Sequence, residues 1–274
     1  PLVVTQSISK SKQGPQGPQG PQGPNFNLIN YSTWAVGTSG SQTGFTAVGT
    51  ASATENSIEL GLDPYGRTNP LWKMTADITT PNAGDGGWLT DYFPISDSKT
   101  YRFVIYLKRT TTDGRSYLGL YSNLQNTVVT LAGGDDSNPY FWNGIPPLLN
   151  RWYVIIGYVH PKDTTITTSI GGVYDTVTGK KVFNGTDFKW KPGTTKALHR
   201  AFYYYCATAG SVQYFWGPRV EVCDGTELPI EQLLAGSISY QYLGKYYAAH
   251  PSSYLNGDWW LVYDTDDSPI QRGV

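Results

Sequence analysis

Between Thr100 and Lys108 the chain reads TYRFVIYLK, and apolar and polar positions there recur with a period of two. Tyr101, Phe103, Ile105 and Leu107 point one way; Arg102, Tyr106 and Lys108 point the other. That is the pattern of a β-strand with one side chain row in a core. Further strand runs, bounded by Gly, Asp or Asn, follow at Ser57–Leu62, Leu71–Ile78, Ser116–Tyr121, Arg151–His160, His199–Ala207 and Val212–Val222. Thr112-Asp113-Gly114 and Val177-Thr178-Gly179 separate strand runs and read as hairpin turns, with Gly free to take positive φ. No stretch sustains a 3.6-residue period, and the best helical candidate is the single turn at residues 229–234. Many short strands with regular turns predict an all-β fold, an antiparallel β-sandwich of jelly-roll type, over residues 25–236. A propeller is the alternative, but no repeat of blade length is visible. Around Ala235-Gly236-Ser237 the texture changes, and residues 237–274, dense in Tyr and Trp, predict a small C-terminal β module or linker. Within it, at least one of Trp259 and Trp260 is expected to be buried, because neighbours on a strand face opposite sides.

Ahead of the strands lies a different pattern. After a lead-in at residues 1–13, residues 14–24 read GPQGPQGPQGP, with Gly14, Gly17, Gly20 and Gly23 at period three and Pro15, Pro18, Pro21 and Pro24 following each glycine. Only Gly fits at the axis of a collagen triple helix, so the tract predicts a short collagen-like triple-helical stalk and hence a homotrimer. The plainer reading is a disordered Pro/Gly/Gln linker. So short a tract does not hold three chains alone, which makes it a spacer and requires flanking contacts to trimerise.

Composition sharpens this. Val, Ile, Tyr and Thr outweigh Leu, there is one Met, and aromatic residues make up 14%, a β-rich balance. A formal charge of −1 gives no basis for nucleic-acid binding or for an anionic membrane surface. No apolar run is long enough for a spanning helix, and no signal peptide is visible. Pro1 is not a natural start, so the chain is expected to be a fragment of something longer. Cys206 and Cys223, placed on neighbouring strands, are expected to be free thiols, consistent with assembly in a reducing cytoplasm.

NFNLIN at Asn25–Asn30 followed by Trp34, then Trp88, Ile95 and TYRFVIYLK, resembles the opening of jelly-roll carbohydrate-binding modules. NPYFW (138–142), RWYVIIGYVHP (151–161), FYYY (202–205), PRVEVCDGTELPIEQLL (218–234) and the YLGKYY…NGDWW tail are similar to carbohydrate-binding-like domains of bacteriophage tail fibres and host-specificity tail-tip proteins, often found beside collagen-like triplets. The resemblance spans residues 25–270. It implies a virion adhesin, assembled in the host cytoplasm, that joins other tail proteins and meets a bacterial surface glycan or receptor without entering the membrane. Many such modules carry an acid after the first strand that helps to hold a structural calcium. NLINYSTWAVG has none, which leaves Asp224 and backbone carbonyls as the only candidate ligands, and no cofactor is expected.

The chemistry points to binding and not to an enzyme. Asp135, Asp136, Asp264, Asp266, Asp267, Glu227 and Glu231 sit in turn-like surroundings, where solvated turn formers are the simplest explanation. His160, His199 and His250 are scattered, with neither a nucleophile motif nor metal-ligand spacing, so no catalytic or metal residue is assigned. Sugar rings stack their C–H faces on exposed aromatics. Phe103, Trp152, Tyr203 and Phe215 read as core. Two Gly/Asn/Asp-rich segments read as loops, GDGGWLTDYF with Trp88 and Tyr92, and DDSNPYFWNG with Tyr140, Phe141 and Trp142. These five aromatics, with Arg200 as a bonding partner for sugar hydroxyls or carboxylates, form the candidate platform. For Arg200 and Arg219 the plainer expectation is pairing with a local acid. The other function classes consistent with the chain are a ligand-free structural spacer or trimerisation block and, last, a glycan depolymerase.

Overall fold

The computed structural model describes residues 27–77, 84–234, 260–263 and 269–272. The stalk and the lead-in lie outside these residues, as does most of 237–274. In chain order the strands begin with β1 (Phe45–Ala47), β2 (Asn56–Leu62), β3 (Thr68–Thr75), β4 (Gly84–Thr90), β5 (Phe93–Pro94) and β6 (Tyr101–Arg109). There follow β7 (Arg115–Ser122), β8 (Val128–Thr130), β9 (Asp135–Asp136), β10 (Tyr140–Gly144), β11 (Trp152–His160) and β12 (Gly172–Asp175). The rest are β13 (Lys181–Asn184), β14 (Phe188–Lys189), β15 (Lys196–Tyr204), β16 (Val212–Val222), β17 (Trp260–Tyr263) and β18 (Pro269–Arg272).

Two sheets form the sandwich. A six-stranded sheet runs β1-β4-β15-β7-β10, with β5 pairing on β15. A ten-stranded sheet runs β2-β3-β16-β6-β11-β14-β8-β9, with β12 on β11 and β13 on β12. The pairing is antiparallel except between β11 and β14. The all-β sandwich predicted from the alternating pattern is therefore present, and all seven predicted strand runs are strands. Residues 230–234 form the expected helical turn. In the C-terminal region β17 and β18 pair as an antiparallel hairpin.

Tyr101, Phe103, Ile105 and Leu107 of β6 do share one face, the core between the sheets. The opposite row, with Val104 and Tyr106, is buried as well. A second apolar layer covers the outer face of the ten-stranded sheet: Trp152, Val154, Ile156, Tyr158 and Trp216 pack against Tyr65, Leu228, Ile230, Leu233 and Leu234. Polar groups tie this cover down. Tyr65 and Tyr106 share a hydrogen bond of 2.7 Å between hydroxyls, and the Tyr106 hydroxyl donates to the Leu233 carbonyl at 2.5 Å. Arg102 is buried among them and paired with Glu221, its Nε donating at 2.7 Å, and it also donates to the Leu228 carbonyl. Trp152 thus belongs to this outer layer, where its Nε1 donates to the Leu62 carbonyl, and not to the central core as expected.

Two turns also differ from expectation. Residues 110–114 do not close a hairpin, because β6 and β7 lie in different sheets; the segment crosses the sandwich. Residues 205–211 cross in the same way between β15 and β16, so Cys206 and Cys223 are not on paired strands; both are free thiols. Local turn chemistry is the same for a hairpin and for a crossing, so short-range sequence cannot separate the two. The 176–180 turn does join a hairpin, β12–β13.

Candidate functional site

Most aromatic residues of the described parts fall into three sets: the core, the covered outer face of the ten-stranded sheet, and an outer face of the six-stranded sheet that no described segment covers. The third set builds the site. Along β15, Ala197, His199, Ala201 and Tyr203 turn inward, which leaves Leu198, Arg200, Phe202 and Tyr204 facing out. On β7, Leu118 and Leu120 enter the core while Tyr117, Gly119 and Tyr121 face out. Tyr140 of β10 packs on Tyr117 with ring centroids 4.9 Å apart, and Tyr117 meets Tyr204 edge-on at 5.7 Å. Tyr205 extends the row, 5.6 Å from Tyr204 and 49% exposed. At the other end Tyr92, exposed in the β4–β5 connection, reaches the Ser122 carbonyl beside Tyr121. The result is a shelf of half-exposed tyrosine rings lying across three strands.

Arg200 lies beneath the shelf. Its Cζ is 3.8 Å from the Tyr121 ring centroid and 4.0 Å from that of Tyr140, so the cation is held between two aromatic faces. It is fully buried, and Nη2 donates to the Pro139 carbonyl at 2.9 Å. Nε and Nη1 have no hydrogen-bond partner, and among the described residues no carboxylate lies within ion-pair distance, contrary to the expectation of a local acid. Burial pushes the guanidinium down and the Tyr140 hydroxyl up to about 12, while the Arg200 charge opposes the latter. Gly119 makes the arrangement possible. A Cβ there would sit 2.3 Å from the Pro139 carbonyl oxygen, 2.9 Å from the Tyr140 ring and 3.0 Å from Arg200 Nε. Any side chain at 119 would displace the stack.

The predicted platform divides accordingly. Tyr92 and Tyr140 belong to the shelf, with Arg200 under it. Trp88, Phe141 and Trp142 do not present a face to a ligand and are corrected here. Trp88 is fully buried on β4, stacked on His199 at 5.0 Å and edge-on to Phe45. Its Gly-rich context has the composition of a loop but belongs to a strand. Gly86 and Gly87, at φ +117° and +131°, are strand residues with no room for a Cβ: at Gly87 it would lie 2.2 Å from the Ala201 carbonyl oxygen. Phe141 is fully buried against Phe103 and Phe188. Trp142, 8% exposed, packs on Phe183 at the core's edge. A bulge in β10 between Tyr140 and Trp142 sends consecutive residues to these different destinations. Tyr117, Tyr121, Phe202, Tyr204 and Tyr205 were not singled out, although period-two alternation in SYLGLY and HRAFYYY, once anchored on the inward His199 and Leu118, puts four of them on one face.

Of the remaining polar candidates, Asp264, Asp266, Asp267 and His250 lie outside the described residues, and most of the others have local partners. Asp135 pairs with Lys191, Asp136 accepts from the Asn138 amide and Glu227 from the Gly225 amide. His199 is held neutral by burial, its pKa brought down to about 3, and His160 lies 3.6 Å from Asp187. Arg219 pairs with Glu221, as expected of it. Among the described residues no three acidic, His or Cys side chains gather as metal ligands, and Asp224 is occupied by the amide and hydroxyl of Thr226.

No family model matches the chain. No curated protein matches it either. Among solved structures it is similar to the carbohydrate-binding module CBM4, with 12% identity over 71% of this chain and 99% of that one, at a TM-score of 0.35. It is also similar to the C-terminal family 22 carbohydrate binding module of Clostridium thermocellum Xyn10B, with 10% identity over 76% and 97% of the two chains and a TM-score of 0.31. A third likeness is the enzymatically active domain of tailspike protein 4 from bacteriophage CBA120, with 9% identity over 72% of this chain and 21% of that one, at 0.35. Identities and scores at this level leave the functional argument to the chain's own residues.

Proposed function

We propose that the chain is a non-enzymatic glycan-binding module whose ligand lies on the tyrosine shelf of the six-stranded sheet. The observation that carries this reading is the shelf itself: Tyr117, Tyr121, Tyr140 and Tyr204 on regular strands, with Tyr205 just past the end of β15, in one contiguous, partly exposed layer. Tyrosines there offer flat apolar faces for sugar C–H groups and hydroxyls for sugar oxygens, with little side-chain entropy left to lose. Backbone strain supports the same reading. Tyr205 adopts φ 64°, a left-handed conformation that costs a non-glycine residue about 1–2 kcal/mol and that sets its ring beside the row.

The finer setting is also a proposal. The period-three GPQ tract favours display in triplicate, and weak sugar sites gain strength by avidity when presented so. Together with the resemblance of the sequence to tail-fibre and tail-tip proteins, this supports a role as a bacteriophage adhesin that meets the bacterial surface. Glycan-array binding tests the site. Tyr121→Ala and Tyr204→Ala are expected to lower binding at least tenfold each, and Leu60→Ala, on an exposed edge of the other sheet, to leave it unchanged. If both tyrosine variants bind like the wild type, the shelf is not the site. Light scattering of the full chain tests the trimer, and release of reducing ends from a bound glycan would refute the non-enzymatic reading.

A further inference from the structure

We propose that the shelf takes an anionic glycan, a polymer of carboxylated sugars, and that the buried guanidinium of Arg200 is the charge that selects it. This rests on the glycan reading above and names its substrate class.

The argument comes from how the chain treats its three buried arginines. Arg102 is given a carboxylate, Glu221, and a carbonyl. Arg109 is given the carbonyls of Asp113 and Gly114, the Ser116 hydroxyl and the face of Tyr203, with Nε alone left without a partner. Arg200 is given one carbonyl and two tyrosine rings, and two of its three nitrogens stay without a partner. A guanidinium cannot shed its proton to escape this, so its charge persists. Among the described residues no acid is in ion-pair contact with it: Asp136, which acts on it only at longer range, accepts from the Asn138 amide, and Arg115 near Tyr117 adds positive charge. Tyr121 and Tyr140 are half-buried, so the cation lies one side-chain layer below the surface, and its attraction for a carboxylate bound on the exposed side is partly screened by salt. A unit charge about 7 Å away, at an effective dielectric of about 20, changes affinity on the order of 10- to 50-fold. A neutral sugar would leave that interaction unused.

The test compares the full chain on hexuronans, namely polygalacturonate, alginate and hyaluronan, with the same polymers after their carboxyl groups are reduced to hydroxymethyl groups. Dextran sulfate against dextran separates sulfate from carboxylate. Calorimetric titration is expected to show at least one hexuronan bound tenfold or more tighter than its reduced form, with a ratio that falls as salt rises. Arg200→Met should bring that ratio close to one, and Arg200→Lys should retain part of it. Equal affinity for the acidic and reduced forms, abolished by Tyr121→Ala, would overturn the anionic inference and leave the glycan reading standing. Binding to none of the polymers would overturn both. A preference that persists in Arg200→Met would remove Arg200 from the explanation, and a preference for dextran sulfate alone would overturn the carboxylate class. Should Arg200→Met fail to fold, the ratio in Arg200→Lys and its salt dependence decide: a ratio unchanged by salt overturns the proposal.

Discussion

The two sheets of the sandwich carry aromatic outer faces built from the same residue types, yet one is sealed and the other open. On the ten-stranded sheet, Tyr106, Tyr158, Trp152 and Trp216 lie under the chain's own segment 228–234, and the buried cation there, Arg102, has a carboxylate partner. On the six-stranded sheet, Tyr117, Tyr121, Tyr140 and Tyr204 keep part of their surface, and the cation beneath them lacks a counter-ion. Aromatic density does not mark a site by itself. What separates the faces is whether the fold completes the bonding of the groups it buries.

The largest expected effect probes that contrast directly. Glu221→Ala leaves Arg102 buried without its carboxylate and should cost about 3–5 kcal/mol in denaturant unfolding, whereas Arg200→Met removes a charge that has no counter-ion and should cost much less. Equal costs would mean that the two arginines are alike and the contrast false. Glu55 and Asp85 extend the comparison to acids. Both are buried, and burial raises their pKa values, to about 7 and about 6. Because the folded values lie above the unfolded ones, these acids contribute stability that is fully present below about pH 4 and is lost as pH rises through 6 to 7. Glu55→Gln should therefore raise the melting temperature at pH 8, by an amount on the order of 2 kcal/mol in stability, and do little at pH 4. A flat difference between the two pH values would contradict it. Such acids escape an unpartnered site by taking up a proton, a route closed to Arg200. On the sealed face, Tyr65→Phe loses one shared hydroxyl bond and should cost about 1 kcal/mol. Smallest of all, Tyr117→Ala on the open face should change stability by less than Tyr65→Phe does while weakening glycan binding, a split that thermal melts and glycan titration can read together.

Much of this was legible in the chain. TYRFVIYLK gave its inward row, and the seven strand runs gave the sandwich, because period-two burial is written locally. The site was legible only in part. Tyr92, Tyr140 and Arg200 were found, but Trp88 was read as a loop residue because Gly86 and Gly87 looked like turn formers. Their role, admitting the close approach of β15, depends on a strand more than a hundred positions away. Whether 110–114 turns back or crosses the sandwich is equally a question of partners distant in sequence. Nor could any local pattern tell the sealed tyrosines from the open ones, since that depends on where residues 228–234 come to rest.

The alternation along β15 has a consequence for how the module can change. His199 stacks in the core between Trp88 and Phe103, and its neighbour Arg200 lies under the shelf. The centre of the site and the centre of the fold are therefore adjacent letters of one strand, and drift at either threatens the other. Tyr92 and Tyr205, exposed at the two ends of the row, carry no such double duty. New ligand preferences should accumulate at those ends first, while the middle of the row stays much as it is.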